Sequence, residues 1–148
     1  GGGGGGGGVG PVTVLLHWPR CKRDVPWMRC EAEESELPEE VRALGPPPHL
    51  DPERAWQESW RALEDLFLAG QVANIGVSNF DASEMGALLA LPSLRVAPHL
   101  LQGNVWAVAH DPDLMGLCRQ HGVLFQAYNL MNGVLGADKM RANPRAFA

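Results

Sequence analysis

The sequence predicts an α/β fold with a parallel sheet, and three observations support this prediction. Short apolar runs alternate with amphipathic helical patterns, in the order strand, helix, strand, helix, strand, helix, strand. The helical patterns carry start and stop signals, with aspartate before them and glycine after them. Polar residues stand where each apolar run ends. Because ligands of parallel α/β folds bind at the carboxyl edge of the sheet, these polar residues favour one shared site.

Composition and charge exclude several classes of protein. The chain has 148 residues, with 12 basic and 17 acidic residues and a net charge of −5. Apolar residues make up 45% and charged residues 20%, as in ordinary globular domains. The acidic excess disfavours nucleic acids and anionic membranes as partners. No apolar run approaches the roughly 18 residues of a membrane span.

The amino terminus and the cysteines add three expectations. Residues 1–10 form a glycine-rich, low-complexity tail that no strand precedes, so it is not a dinucleotide-binding loop. The chain starts with glycine and shows no signal-peptide pattern, so we expect an incomplete chain. Cys21, Cys30 and Cys118 form no CxxC pair, so we expect three free thiols, no metal site and a cytoplasmic location.

The first predicted strand leads into a long loop. Val12–Leu16 is apolar and β-branched, which predicts a fully buried strand that ends at His17. Residues 18–50 are rich in proline and glutamate, which predicts a surface loop with one helical turn around Pro38–Ala43.

Three helices and three strands are predicted after the loop. The first helix begins at Asp51–Pro52, has its apolar stripe at i, i+4, i+7 and i+11, and ends at Gly70. The stripe consists of Trp56, Trp60, Leu63 and Phe67. The other predicted elements are the strand Val72–Val77, a helix capped by Asp81 that ends before Pro92, the strand Leu94–Leu101, a helix from Asp111–Pro112 to Gly122, and the strand Val123–Ala127.

Several sequence segments resemble the aldo-keto reductase family. These are LLHWP at 15–19, WRALE at 60–64, GQVANIGVSNF at 70–80 and AYNL at 127–130, with Gln102 and Cys118 in the same order. The resemblance covers roughly residues 12–136 except for the long loop. It implies that residues 11–148 form part of a (β/α)₈ TIM barrel, with about four central βα units and a long loop after the first strand.

The resemblance also implies a chemistry. The family uses NADPH to reduce aldehydes and ketones to alcohols, so a small carbonyl compound is the expected substrate. His17 matches the histidine that orients and polarises the substrate carbonyl. A neutral imidazole N–H can donate a hydrogen bond to the oxygen that gains charge during hydride transfer.

Five further residues match cofactor-binding positions. Ser78, Asn79 and Gln102 match residues that hydrogen-bond the nicotinamide carboxamide, a group with one acceptor and two donors. Tyr128 matches the aromatic residue that stacks on the nicotinamide ring. Asn129 stands where the family often has serine, and its amide can still donate a hydrogen bond. A turn that caps the next helix is the alternative interpretation of Ser78–Asn79.

Three of the four catalytic residues of the family have no match in this sequence: a tyrosine acid, a lysine and an aspartate. Tyr128 is the single tyrosine. Lys22 and Lys139, the two lysines, are expected to lie away from any strand end. Two hypotheses follow. The chain is part of a carbonyl reductase, or it is a non-catalytic remnant or interaction module that keeps part of the fold.

Overall fold

A computed structural model of the chain describes residues 12–22, 35–44, 51 and 54–130. The glycine-rich tail, part of the long loop and residues 131–148 lie outside the described residues. The described strands are β1 (Thr13–Leu16), β2 (Asn74–Ser78), β3 (Leu100–Asn104) and β4 (Leu124–Tyr128). The described helices are α1 (Glu39–Leu44), α2 (Trp56–Leu68), α3 (Ala82–Leu89), α4 (Trp106–His110) and α5 (Pro112–His121).

The four strands form one parallel sheet in the order β1-β2-β3-β4. The register pairs Leu15 with Gly76, and Gly76 with Leu100. It also pairs Leu100 with Leu124. The predicted α/β class is therefore confirmed, and all four strands end at the same edge. Side chains alternate across the sheet, so residues two apart in a strand face the same side.

The core lies between the sheet and the helices α2, α3 and α5. Its sheet side consists of alternate residues of the two inner strands: Ile75, Val77 and Leu101. Its helix side consists of Trp56, Trp60, Met85, Leu88, Leu114 and Cys118. Burying large apolar side chains of this kind is the main driving force for folding.

The edge strand β1 is less buried than the sequence predicts, and the other edge strand, β4, is also partly exposed. Each residue of β1 is at least partly accessible, and alternate residues of β4 are exposed. An edge strand has a neighbour on one side only, so an apolar sequence alone does not bury it. Leu124, on the face of the sheet away from the core, is 71% exposed.

A carboxylate inside the core fixes the segment that leads to β3. Glu64 on α2 is fully buried and accepts hydrogen bonds from the backbone N–H of Arg95 at 2.7 Å and of Val96 at 2.9 Å. The Arg95 guanidinium also contacts it at 3.1 Å. Asp65 and Glu64 raise the pKa of Arg95. The buried charge is thus paired and hydrogen-bonded, as a charge inside a protein must be.

Several predicted boundaries were wrong. The first long helix begins at Trp56 rather than at Asp51, whose carbonyl accepts a hydrogen bond from the Arg54 N–H. The third strand begins at Leu100, beyond Pro98. The short helix α4 was not predicted. Among the confirmed signals are the helical turn in the long loop, the cap at Asp81 and the left-handed glycines after α2 and α5.

The expectation of three free thiols was also wrong. Cys21 is disulfide-bonded, and Cys118 is the free cysteine of the described part. The cytoplasmic location stays a prediction. No helix within the described ranges is long and apolar enough to cross a membrane. Those ranges also hold no cluster of three or more metal-ligating side chains.

Candidate functional site

The predicted site residues come together at the carboxyl edge of the sheet. Ser78 and Tyr128 are the last residues of β2 and β4, and His17 follows β1 directly. Gln102 was expected at the end of β3 but lies in the middle of the strand, where it pairs with Ser78. Because the strands are staggered, this inner position still reaches the end of β2.

Asn79 connects most of these residues. Its side-chain Nδ2 donates to the carbonyl of His17 at 3.1 Å and to Ser78 Oγ at 3.2 Å. Its Oδ1 accepts from the Tyr128 hydroxyl at 2.6 Å. Its backbone N–H donates to the carbonyl of Gln102 at 3.0 Å. One amide side chain therefore joins the ends of three strands, and its backbone joins a fourth.

The backbone of Asn79 is in an uncommon conformation. Its φ of 59° lies in the left-handed region, which asparagine enters more readily than most residues. The hydrogen bonds on both sides of the residue hold it there. Ser78 is 1% exposed, and its hydroxyl donates to the Gln102 carbonyl at 3.0 Å. The Ser78 hydroxyl therefore contacts the Gln102 carbonyl and the Asn79 amide rather than solvent.

The segment after Asn79 anchors the edge to the core. Phe80 is buried and meets Trp56 edge to face, with ring centroids 5.6 Å apart. Asp81 then caps α3: its carboxylate accepts from the Glu84 N–H at 2.9 Å, and the Glu84 carboxylate accepts from the Asp81 N–H at 3.0 Å. The alternative interpretation of Ser78–Asn79 as the helix cap is wrong, because Asp81 has that function.

Tyr128 and Asn129 form the outer side of the site. Tyr128 is 36% exposed, and burial of the rest of the side chain raises the pKa of its phenol. The hydroxyl therefore stays protonated at neutral pH and acts as the donor to Asn79. Asn129 has a φ of 64°, so the residue after β4 repeats the left-handed backbone of Asn79.

The His17 imidazole is exposed at the end of β1. Its ring lies 5.9 Å from the Trp18 ring, at an interplanar angle of 57°. No residue of the described part hydrogen-bonds the His17 ring nitrogens. An exposed ring N–H can donate a hydrogen bond to a ligand, as the predicted role requires.

Lys22 is a site residue that the sequence did not predict. It was expected away from the strand ends, but its Nζ lies 3.0 Å from the carbonyl oxygen of Asn79. Nζ also contacts Glu84 Oε2 at 2.7 Å and Asp81 Oδ2 at 3.5 Å. Burial acts to raise the pKa of Asp81, but the Glu84 N–H and the Lys22 charge outweigh it and lower that pKa. No spacing in the sequence indicates this contact, because it depends on the path of a loop.

The chain is similar to known reductases over part of their length. Relatives include the yeast NADPH-dependent alpha-keto amide reductase of Saccharomyces cerevisiae, 26% identical over 73 residues. That match covers 49% of this chain and 23% of the relative. The aldo-keto reductase family 1 member D1 of the rabbit, Oryctolagus cuniculus, is 35% identical over 71 residues, which are 48% of this chain and 22% of that protein. The matched region thus spans about a quarter of these relatives.

Solved structures show the same fold. The crystal structure of an aldo-keto reductase of the silkworm, Bombyx mori, superposes with a TM-score of 0.55 at 24% identity, over 86% of this chain and 32% of that one. The aldose reductase of Giardia lamblia gives a TM-score of 0.53 at 24% identity, over 82% and 36% of the two chains. The described sheet is therefore part of the barrel fold of these proteins, as predicted.

The sequence profile of one family matches nearly the whole chain outside the tail. The match runs over residues 13–147, and it includes all four strands and every predicted site residue. The chain belongs to the aldo/keto reductase family.

Proposed function

We propose that this chain supplies the nicotinamide pocket and the carbonyl-polarising histidine of an NADP(H)-dependent reductase that converts an aldehyde or ketone to an alcohol. The observation that carries the proposal is the hydrogen-bonded group of Ser78, Asn79, Gln102 and Tyr128 at one edge of the sheet. A relative named as an NADPH-dependent reductase supports it, as does a silkworm neighbour whose crystal structure is complexed with NADPH.

The polar atoms at this edge fit a carboxamide. Gln102 Nε2 donates to Gln126 Oε1 at 3.0 Å, which uses one of its two N–H groups. Within the described part, its second N–H and its Oε1 are available to a ligand. Asn79 Oδ1 has accepted one hydrogen bond and can accept another. The pocket therefore offers both donors and acceptors beside the Tyr128 ring, which is exposed enough to stack on a planar group.

The residues of this chain have separate roles in the proposed reaction. NADP(H) supplies a hydride when it is bound. Gln102 and Asn79 hold the carboxamide and so fix which ring face meets the substrate. His17 donates a hydrogen bond to the carbonyl oxygen of a small-molecule substrate and stabilises the charge that develops there. The one tyrosine, Tyr128, donates its hydroxyl proton to Asn79, so we assign it no role as a general acid.

The alternative is a non-catalytic interaction module that keeps part of the fold. It is favoured by one observation: each side-chain polar atom of Asn79 already has a protein partner. A module of this kind needs no exposed amide for a cofactor. The hydrogen bonds of the Asn79 side chain would then serve only to hold the ends of three strands together.

Titration with NADPH, followed by tryptophan fluorescence, separates these proposals. We expect binding by the wild-type chain and a three- to tenfold weaker affinity in Gln102→Leu, because one or two neutral hydrogen bonds are worth roughly this factor. Gln120→Leu is the matched control, since Gln120 is exposed on α5. His17→Ala should leave binding unchanged and abolish any reduction of a model aldehyde. A folded wild-type chain that does not bind NADPH would favour the interaction module.

A further inference from the structure

The loop after β1 is attached to the end of β2 through the partly buried amine of Lys22. The Lys22 side chain is 12% exposed, although lysine is among the residues most often found in water. Its Nζ lies 3.0 Å from the main-chain carbonyl oxygen of Asn79. Holding a lysine in this place costs both solvation and side-chain entropy. The contacts at Nζ must therefore offset these costs.

The acidic start of α3 balances the Lys22 charge. Glu84 Oε2 lies 2.7 Å from Nζ, and Asp81 Oδ2 lies 3.5 Å from it. Glu84 Oε1 is buried without a hydrogen bond from the described residues, and Arg20 Nε approaches it to 3.6 Å. Two basic side chains of the first loop therefore face the capping box of α3. This pairing ties the chain segment after His17 to the segment after Asn79.

The contact between Lys22 Nζ and the Asn79 carbonyl restrains the backbone of Asn79. A left-handed residue other than glycine is held by its surroundings, because the conformation is otherwise unfavourable. Lys22 binds the carbonyl of Asn79, and the Gln102 carbonyl binds its N–H. With both peptide groups held, the direction of the Cα–Cβ bond is set, and the side chain bonds the His17 carbonyl and the Tyr128 hydroxyl.

We propose that Lys22 is a positioning residue that holds Asn79 in its left-handed conformation and thereby places the Asn79 amide at the nicotinamide pocket. The effect of Lys22 on cofactor affinity rests on the proposed function, whereas its effect on the conformation of Asn79 does not. Lys22 touches neither cofactor nor substrate in this proposal. It acts through the Asn79 backbone and through the charges at the start of α3.

The test compares three variants of the 148-residue chain. Lys22→Met keeps the length of the side chain and removes its charge and its donors. Lys22→Arg keeps both. Arg54→Met is the matched control, because Arg54 is exposed and its ion pair, with Asp51 at 3.8 Å, involves no residue of the site. Nitrogen-15 NMR follows the side-chain amide signals of Asn79, and fluorescence titration follows the affinity for NADPH.

We expect Lys22→Met to shift the Asn79 amide signals and to weaken NADPH binding about tenfold, as the loss of a hydrogen bond to a charged donor would. Lys22→Arg should restore the signals and keep the affinity within about threefold, and Arg54→Met should change neither. Shifted Asn79 signals in a chain that never binds NADPH would refute the proposed function and leave the positioning role intact. Unchanged Asn79 signals in Lys22→Met would overturn the positioning role.

If Lys22→Met does not fold, Glu84→Gln tests the same contact from the other side. Glutamine keeps an oxygen for the Asp81 N–H and removes the charge that holds Nζ. We expect a smaller shift of the same Asn79 signals. Their constancy in this variant would also contradict the proposal.

Discussion

The ends of β2 and β4 have similar backbone conformations, but the residues that follow them differ greatly in burial. Each strand ends in a hydroxyl-bearing residue, Ser78 or Tyr128, and an asparagine in the left-handed conformation follows. After β2 the next side chain, Phe80, is 3% exposed and packs on Trp56. After β4 the next side chain, Leu130, is 53% exposed.

This difference follows from position in the sheet. The inner strand β2 has a hydrogen-bonded neighbour on each side, so the residues at its end find partners on both neighbouring strands. Among the described strands, β4 has one such neighbour, and its last residue is held by two bonds: the Tyr128 carbonyl accepts from the Val105 N–H at 3.1 Å, and the Tyr128 hydroxyl donates to Asn79. We therefore expect the β2 end to be the more rigid of the two and the β4 end to adjust more readily to a ligand.

The largest expected effect comes from adding a methyl group to the inner strand. In Gly76→Ala the new Cβ would collide with the backbone oxygen of Leu100 and lie 2.7 Å from a methyl of Leu15. Neighbouring backbone cannot move without breaking the sheet, so we expect a loss of about 3 kcal/mol or more in the free energy of unfolding, measured with urea.

Gly103→Ala is the matched control on the side of the edge strand. There the new Cβ would meet the tip of the Phe125 ring at 2.8 Å, and Phe125 belongs to β4. Because a side chain on an edge strand can shift, we expect a loss of about 1 kcal/mol. A loss in Gly103→Ala equal to that in Gly76→Ala would refute the idea that the edge is adaptable.

A middle-sized effect is expected from the helix caps. Asp81→Ala removes a reciprocal capping box and a lysine contact, so we expect a loss of about 1.5 kcal/mol in the free energy of unfolding. Asp111→Ala removes a single cap on α5, the bond from the Leu114 N–H at 3.0 Å, and should cost about 1 kcal/mol or less. The reverse order would contradict the greater rigidity at the end of β2.

The Asp81 effect should also depend on pH. The pKa of Asp81 is lowered in the folded chain, so its carboxylate stabilises the fold above the ordinary aspartate value near 3.8, and this stability is lost as the pH falls through the lowered value. Asp81→Asn keeps a capping oxygen and removes the charge. Urea melts of this variant and of the wild type should differ at pH 7 and converge below that window. Salt should reduce the difference, because Asp81 is exposed.

Features that depend on neighbouring residues in the sequence were predicted correctly, whereas features that depend on tertiary contacts were missed or misplaced. The Asp81 cap and the Gly122 stop depend on a few neighbouring residues, and both are confirmed. The bounds of β3 depend on pairing with β2 and β4, so Gln102 was placed at the wrong point of its strand. The position of Lys22 depends on a loop that crosses to another strand, and no pattern in the sequence records that path.

The smallest expected change in stability is at Tyr128, where we expect a substitution to strengthen ligand binding. Tyr128→Phe keeps the ring and removes the 2.6 Å hydrogen bond to Asn79 Oδ1. Because the side chain is 36% exposed, water replaces part of what is lost, and the free energy of unfolding should fall by less than about 1 kcal/mol.

In Tyr128→Phe both lone pairs of the Asn79 oxygen, rather than one, are open to a carboxamide, so this variant should bind NADPH two- to tenfold more tightly in a fluorescence titration. Burial raises the pKa of Tyr128, so the bond from Tyr128 to Asn79 is present below the ordinary tyrosine value near 10 and is lost as the pH rises through the raised value. Tyr128→Leu, which removes the ring as well, should weaken binding. If Tyr128→Phe weakened it equally, the hydroxyl would be part of the pocket and the β4 end would be as rigid as the β2 end.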